Sequence, residues 1–314
     1  MKITVTGGAG FIGSNLVDAM LDAGHNVVVV DNLSTGKFEN LFHVKDAARE
    51  KRFAFFHMDI RDPAAAVAIK EQEVDAVVHL AAQADVRRSV SNPVEDAEIN
   101  ILGTINLLQL CVKAGVKRFI NTSSGGCIYG EPESLPVSED APRRGASPYA
   151  VSKNAADLYL QYFGDAYGIA YTTLAHANVY GPRQNPFGEA GVVAIFGGKM
   201  LRGETPVIYG DGEQTRDFVF VEDVVDAYMR SLTARDGELL NIGTCKETSV
   251  NRLFALMREL TDFEGDPIYE PAREGELNRT FLKVDKAKRV LGWTPRTPIE
   301  DGLAKTVDWL RSTL

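Results

Sequence analysis

The sequence predicts an α/β protein, a doubly wound parallel sheet with a smaller C-terminal α/β lobe. Three features carry that expectation. Short, near-continuously apolar runs recur through the first 178 residues. Amphipathic stretches of helical length separate them. A glycine-rich turn stands between the first run and the first such stretch. Strands apolar on both faces must be covered on both faces, and parallel neighbours need right-handed crossovers.

In order, KITVT (2–6) reads as the first strand and FIGSNLVDAMLDAG (11–24) as a helix closed by glycine. NVVVVD (26–31), FAFFHMDI (53–60) and AVVHLAA (76–82) read as strands two to four. EDAEINILGTINLLQLCVKAG (95–115) has the length and periodicity of a long helix. RFINTSS (118–124) is a fifth strand, SPYAVSKNAADLYLQYFGDAYG (147–168) a helix, and AYTTLAHAN (170–178) a sixth strand. Past about residue 180, in YGPRQNPFGEAG and YGDGEQTRDF, glycine and proline become frequent and the alternation fades. Residues 1–173 are expected to form the first domain, rejoined by a segment near 216–243, and 174–314 the second. No Pro/Ser-rich linker divides them, so they should pack closely.

The bulk numbers narrow the function. The chain has 314 residues, 45% of them hydrophobic, enough for a sizeable core. A net charge of −9 argues against nonspecific binding to nucleic acid or an anionic membrane. The three cysteines are widely spaced and form no Cys-x-x-Cys pair, which fits a reducing, cytoplasmic setting. No signal peptide or membrane span is expected, and the five histidines are too scattered for a metal site.

TGGAGFIG places Gly7, Gly10 and Gly13 directly after the first strand, at the opening of the first helix. That is the setting of a dinucleotide turn in a Rossmann-type fold: the backbone turns tightly, approaches a pyrophosphate and offers helix N-terminal amides to it. Asp31 closes the second strand, where a carboxylate accepts from ribose hydroxyls and repels a 2′-phosphate, so the expected cofactor is NAD rather than NADP. Asp59 and Ile60 close the third strand where an adenine edge would lie; the alternative for Asp59 is a turn or capping aspartate. SPYAVSK sets Tyr149 one helical turn before Lys153. A phenol titrates near pH 10, and a neighbouring ammonium group plus a positive nicotinamide ring would favour the phenolate. Lowered by about two to three units, Tyr149 becomes a base near neutral pH.

With these motifs together, the sequence resembles the extended short-chain dehydrogenase/reductase family and, within it, the UDP-sugar 4-epimerases of the UDP-glucose type. The resemblance is carried by TGGAGFIGSNLV, DNLSTG, HLAAQADVRRSV, SPYAVSK, NVYGPRQNPFGEAGVVAIF, YGDGEQTRDFVFVEDV and NIGT, which span nearly the whole chain. It implies that Gly7, Gly10, Phe11, Ile12 and Gly13 line the pyrophosphate, that Asp31, Asn32 and Ser34 hold the adenosine ribose region, and that Leu80, Ala81, Ala82 and Gln83 run beside the nicotinamide half. Tyr149 would be the acid/base and Lys153 would bind the nicotinamide ribose. Asn178 would contact the nucleotide-sugar phosphates, Arg216 and Arg273 would clamp the diphosphate of UDP, and Val192, Ile208 and Tyr209 would surround uracil and its ribose. The alternative for the two arginines is a surface ion pair with Asp217 or Glu276, itself a candidate substrate contact.

The sequence departs from the resemblance in places. A Ser or Thr often stands at the position of Gly125, so Ser124 becomes the candidate partner of the sugar hydroxyl, the alternative being a strand-end serine bonded to backbone. Gly126 and Cys127 stand where 4,6-dehydratases carry an Asp-Glu pair, which removes the proton carriers for loss of water. The same gap weakens a UDP-glucuronate decarboxylase, and packing is the expected role of Cys127. Ala175-His176 replaces an Arg-aromatic pair, placing His176 near the nicotinamide, and Thr280 replaces a bulky tyrosine, enlarging the sugar pocket.

The implied reaction is oxidation at carbon 4 by NAD⁺ with Tyr149 taking the hydroxyl proton, turnover of the 4-keto sugar in the pocket, and reduction on its other face. UDP-glucose and UDP-galactose are the expected pair. The alternatives are 4-epimerisation of UDP-glucuronate or a UDP-N-acetylhexosamine, decarboxylation of UDP-glucuronate, net dehydrogenation or reduction of a nucleotide sugar, and an NAD-binding regulatory or scaffold protein. A homodimer is implied, its interface made by the helices at 95–115 and 147–168, which carry apolar residues on more than one face.

Overall fold

The computed structural model describes residues 1–187, 191–234, 237–273 and 277–314. Six strands form where the apolar runs predict them: β1 (Lys2–Thr6), β2 (Asn26–Asp31), β3 (Phe53–His57), β4 (Ala76–His79), β5 (Arg118–Ser124) and β6 (Ala170–His176). A seventh strand, Glu238–Ile242, joins them in one sheet of order 238–242, β6, β5, β4, β1, β2, β3. Every pairing in it is parallel. The chain winds outward from β1 to β3, then returns to the other side of β1 as β4. This reversal opens a crevice at the carboxyl ends of β1 and β4, the position at which such sheets bind ligands.

Local chemistry sets the helix ends. The helix Phe11–Asp22 starts directly behind the glycine turn. In the helix Pro148–Tyr167, Ser147 Oγ accepts from Ala150 N at 3.2 Å, proline occupies the first position and left-handed Gly168 closes the end. The helix expected over 95–115 starts earlier, at Pro93, and runs as Pro93–Ala97, a π turn at Glu98–Leu102, and Gly103–Ala114. The π turn carries Asn100, which is buried and donates to Gln83 O at 2.9 Å. β3 and β4 end three residues before their expected limits, at His57 and His79.

The second half is built from shorter pieces. Asn178–Tyr180 pairs with Phe218–Phe220, Val207–Tyr209 with Ile268–Glu270, and Thr215–Arg216 lies between Thr248–Ser249 and Arg279–Thr280. One buried cluster runs through both halves, from Ile3 and Val29 to Phe196, Tyr228 and Trp293. Trp293 Nε1 donates to Asp223 O at 2.8 Å, fixing the C-terminal helices to the helix Val221–Ser231. Among the described residues no helix is long and apolar enough to cross a membrane.

Candidate active site

The crevice begins with the glycine turn. Gly7 has φ +71°, and a Cβ there would stand 2.7 Å from Ala81 N. A Cβ on Gly13 would stand 2.1 Å from Gly7 O. Only glycine lets this turn close on itself and on the residues after β4. Gly10 N donates to Gly7 O at 3.1 Å, and half-buried Phe11 and Ile12 follow in the first helical turn. The resulting cradle has room only for backbone at its centre and presents helix N-terminal amides, which suits a pyrophosphate.

Asp31 lies behind the cradle. Its carboxylate accepts from Ala9 N at 2.9 Å and Leu33 N at 2.8 Å. Burial pushes its pKa up, while these two bonds act against that rise. Each oxygen has a further lone pair for a ribose hydroxyl, so the residues present fit NAD. Asn32 bridges outward, its Oδ1 accepting from Ser34 N and its Nδ2 donating to Asp59 Oδ2. Asp59 has the turn geometry of the alternative reading: Oδ1 accepts from Arg61 N, and the Arg61 guanidinium binds both carboxylate oxygens. The hydrogen bond from Arg61 is the main cause that holds Asp59 down at about 2. Ile60 beside it is buried.

Across the crevice, β5 delivers Ser124 and the helix Pro148–Tyr167 delivers Tyr149 and Lys153. Ser124 acts on the Tyr149 phenol, favouring its ionised form. Lys153 Nζ lies 5.9 Å from the Tyr149 ring centroid and donates to Thr122 O at 3.2 Å. The acidification expected of the phenol beside the oxidised cofactor is not a property of the protein alone. Burial pushes Tyr149 far up, and Ser124 only opposes that rise. Burial also pushes Lys153 down to about 8. In the protein alone desolvation is the largest cause of both shifts.

Beneath them is a polar layer that the motifs did not reveal. Ser152 Oγ donates to Tyr149 O at 2.9 Å, and Asn100 Nδ2 donates to Ser152 Oγ at 3.1 Å. Asn100 and Gln83 both donate to buried Asp96 Oδ1. Gln83 also donates from Nε2 to Asp85 O and accepts at Oε1 from Asp85 N. Leu80, Ala81, Ala82 and Gln83 therefore line the crevice with Gln83's amide engaged inside the protein. Thr122 Oγ1 lies 2.5 Å from the Tyr228 hydroxyl, and Tyr228 meets the His176 ring edge-on at 5.3 Å between centroids. His176 is beside Ser124 in the β5–β6 register, and burial holds it down at about 3, so it is neutral at physiological pH.

The departure at Gly125 has a physical cause. A Cβ there would stand 2.5 Å from Leu282 Cδ1 and 3.1 Å from Ala175 O. Leu282 is buried and fills the volume a side chain at 125 would need. Cys127 Sγ donates to Ser124 O at 3.6 Å, and burial pushes the thiol up to about 11, so it packs as a protonated group.

The nucleotide-sugar side is organised by a residue that sequence reasoning weighed only as an ion-pair partner. Asp217, buried and pushed up by burial, accepts from Thr244 N and Oγ1, Cys245 N and Leu282 N. Its carbonyl accepts from Asn178 N at 2.9 Å. Arg216 is in register with buried Thr280 across parallel strands and donates from Nη1 to Thr215 O at 2.8 Å. The Arg273 guanidinium stacks 3.7 Å above the Tyr209 ring, beside buried Ile208. Val192 opens the helix Val192–Leu201, whose N-terminus lines a small cavity with Asn178 and Gln184. Glu276 lies outside the described residues. Among those described, no three His, Cys, Asp or Glu side chains are placed to hold a metal ion.

The model of the NAD dependent epimerase/dehydratase family matches residues 3–243. The chain is 45% identical over 313 residues to UDP-glucose 4-epimerase of Mycolicibacterium smegmatis, covering 99% of both chains. It is 46% identical to UDP-glucose 4-epimerase of Thermotoga maritima, solved with UDP-glucose, at TM-score 0.95, covering 100% of this chain and 99% of that one. It is 40% identical to UDP-glucose 4-epimerase of Thermus thermophilus, solved in complex with NAD, at TM-score 0.92, covering 100% of both. On its fold, its glycine cradle and these matches, the chain belongs to the NAD dependent epimerase/dehydratase family.

Proposed function

We propose that the protein is an NAD-dependent 4-epimerase of a UDP-sugar, interconverting UDP-glucose and UDP-galactose. The observation that carries this reading is that Ser124, at the end of β5, acts on the Tyr149 phenol with Lys153 one turn away, in the same crevice as a cradle fit for NAD. Bound NAD supplies the hydride acceptor and donor at carbon 4. The amides of the Gly7, Gly10 and Gly13 turn, with Phe11 and Ile12, hold its pyrophosphate, and Asp31, Asn32 and Ser34 its adenosine side. Tyr149 takes the proton from the carbon-4 hydroxyl and returns it after the 4-keto sugar has turned. Because burial disfavours the phenolate, Tyr149 needs the cation of Lys153 and the positive charge of the oxidised cofactor to ionise. Ser124 orients the hydroxyl, while Arg216, Arg273 and Asn178 keep the diphosphate fixed as the sugar rotates.

The chain divides functionally into residues 1–173, with the returning segment near 216–243, for NAD, and 174–314 for the nucleotide sugar. It works in the cytoplasm as a homodimer. Support for the dimer is the exposed apolar face of neighbouring helices, including Val90, Val94, Leu102, Val151, Leu158 and Tyr162. The test is conversion of UDP-galactose to UDP-glucose with no net change in NADH. Tyr149→Phe should lower kcat by about three orders of magnitude while UDP still binds. Stoichiometric NADH formation, or a fully active Tyr149→Phe, overturns the reading.

A further inference from the structure

We infer that residues 32–40 form a strap latched over the adenosine end of the cofactor cradle, with Asn40 as the positioning residue that keeps it shut. This rests on the reading of the protein as an NAD-dependent epimerase, whose cycle fails if reduced cofactor leaves before the sugar is reduced again.

The latch point is Ala9, in the middle of the glycine turn. Ala9 N donates to Asp31 Oδ2 at 2.9 Å. Ala9 O accepts twice from the strap, from Lys37 N at 3.0 Å and from Asn40 Nδ2 at 2.9 Å. Gly36 closes the same contact: a Cβ there would stand 3.0 Å from Ala9 C and 3.0 Å from Asp31 Oδ2. The strap therefore lies against the two residues that meet the pyrophosphate turn and the ribose. Its entrance is under tension, because Leu33 takes φ +57°, a left-handed conformation that branched side chains disfavour. Leu33 N donates to Asp31 Oδ1, so the same carboxylate holds the strained residue. The far end of the strap is anchored again: Phe38 packs edge-on against Phe55 at 4.8 Å, and just beyond Asn40 His43 pairs with Asp18, which Arg183 also binds.

Both ends of the strap are thus fixed to the body, and its second half is fixed to Ala9 through the Lys37 amide and the Asn40 side chain. Release of a dinucleotide held on this turn requires that half to lift, and Asn40 supplies the side-chain bond that resists lifting. Asn40 touches no reacting atom in this scheme, so its effect is on cofactor residence.

The experiment loads purified protein with NAD, removes free cofactor by gel filtration and follows its loss over time. Asn40→Ala and the isosteric Asn40→Asp, which has no donor for Ala9 O, should each release NAD about fivefold faster. After gel filtration their activity should become dependent on added NAD. Glu39→Ala, at an exposed neighbour outside these bonds, should behave as the parent. Unchanged release in both Asn40 variants overturns the latch, as does a fall in melting temperature without faster release. A parent protein that uses NAD but sheds it at the variants' rate overturns the latch alone. One that neither binds nor uses NAD overturns the functional reading and the latch with it.

Discussion

The two sides of the crevice are built by different means. On the cofactor side the shape is made by backbone: glycines placed where a Cβ would collide, helix amides, and a carboxylate bonded to main-chain N–H groups. On the nucleotide-sugar side it is made by side chains held at long range on strands of two or three residues, with Asp217 joining three separate segments. A backbone site tolerates no added atom, whereas a side-chain site tolerates substitution if its neighbours adjust. Tight grip on one ligand and turnover of another are compatible in one crevice for this reason.

The largest effect should come from breaking the backbone rule. Gly13→Ala puts a methyl 2.1 Å from Gly7 O, where only main chain can yield. NAD affinity should fall by at least about 100-fold, measured by calorimetry, because overpacking of this kind costs about 3 kcal/mol. Normal affinity would mean that the turn is more compliant than the contrast allows. The middle effect lies where the two sides meet. Gly125→Ser should lower kcat/KM about tenfold by driving its side chain into Leu282, and adding Leu282→Ala should restore part of that loss. Simple additivity of the two changes would show that they do not share a volume.

The smallest effect is a pH limb. Lys153 titrates near 8 in the folded protein, so its positive charge is present below that value and lost as pH rises through it. Initial rates at low substrate should therefore fall above about pH 8, since kcat/KM reports groups of the free enzyme. The sign for stability runs the other way: between about 8 and the ordinary lysine value near 10.4 the unfolded chain binds more protons, so this group's burial penalty fades as pH rises. A flat profile to pH 9.5 or so would place Lys153 in a wetter site than its burial implies.

What the sequence made legible follows the same contrast. Strands β1 to β6 and the glycine turn could be read because their constraints are local: apolar runs, glycine spacing, a serine cap before Pro148. The strand Glu238–Ile242 falls within the segment near 216–243 expected to rejoin the first domain, but its place as the outer neighbour of β6 depends on long-range pairing that the run itself does not show. Leu282, Asp217 and Tyr228 were not assigned a site role because their partners lie far along the chain: Leu282 meets Gly125, and Tyr228 meets Thr122. Asn100 left a trace, a lone amide among apolar residues, which burial turns into a ligand for Ser152 and Gln83. The rise of Tyr149 in the protein alone was not legible because desolvation belongs to the packed interior and spacing along a helix cannot report it.

The strand Glu238–Ile242 stitches the later part of the chain into the sheet as the outer neighbour of β6. Cutting the polypeptide after β6 would strip that neighbour away and bare a row of unpaired amides and carbonyls, an open seam inviting foreign strands. The sugar-recognising portion consequently cannot be exchanged as a detachable cassette: any graft must carry its own replacement for this border strand.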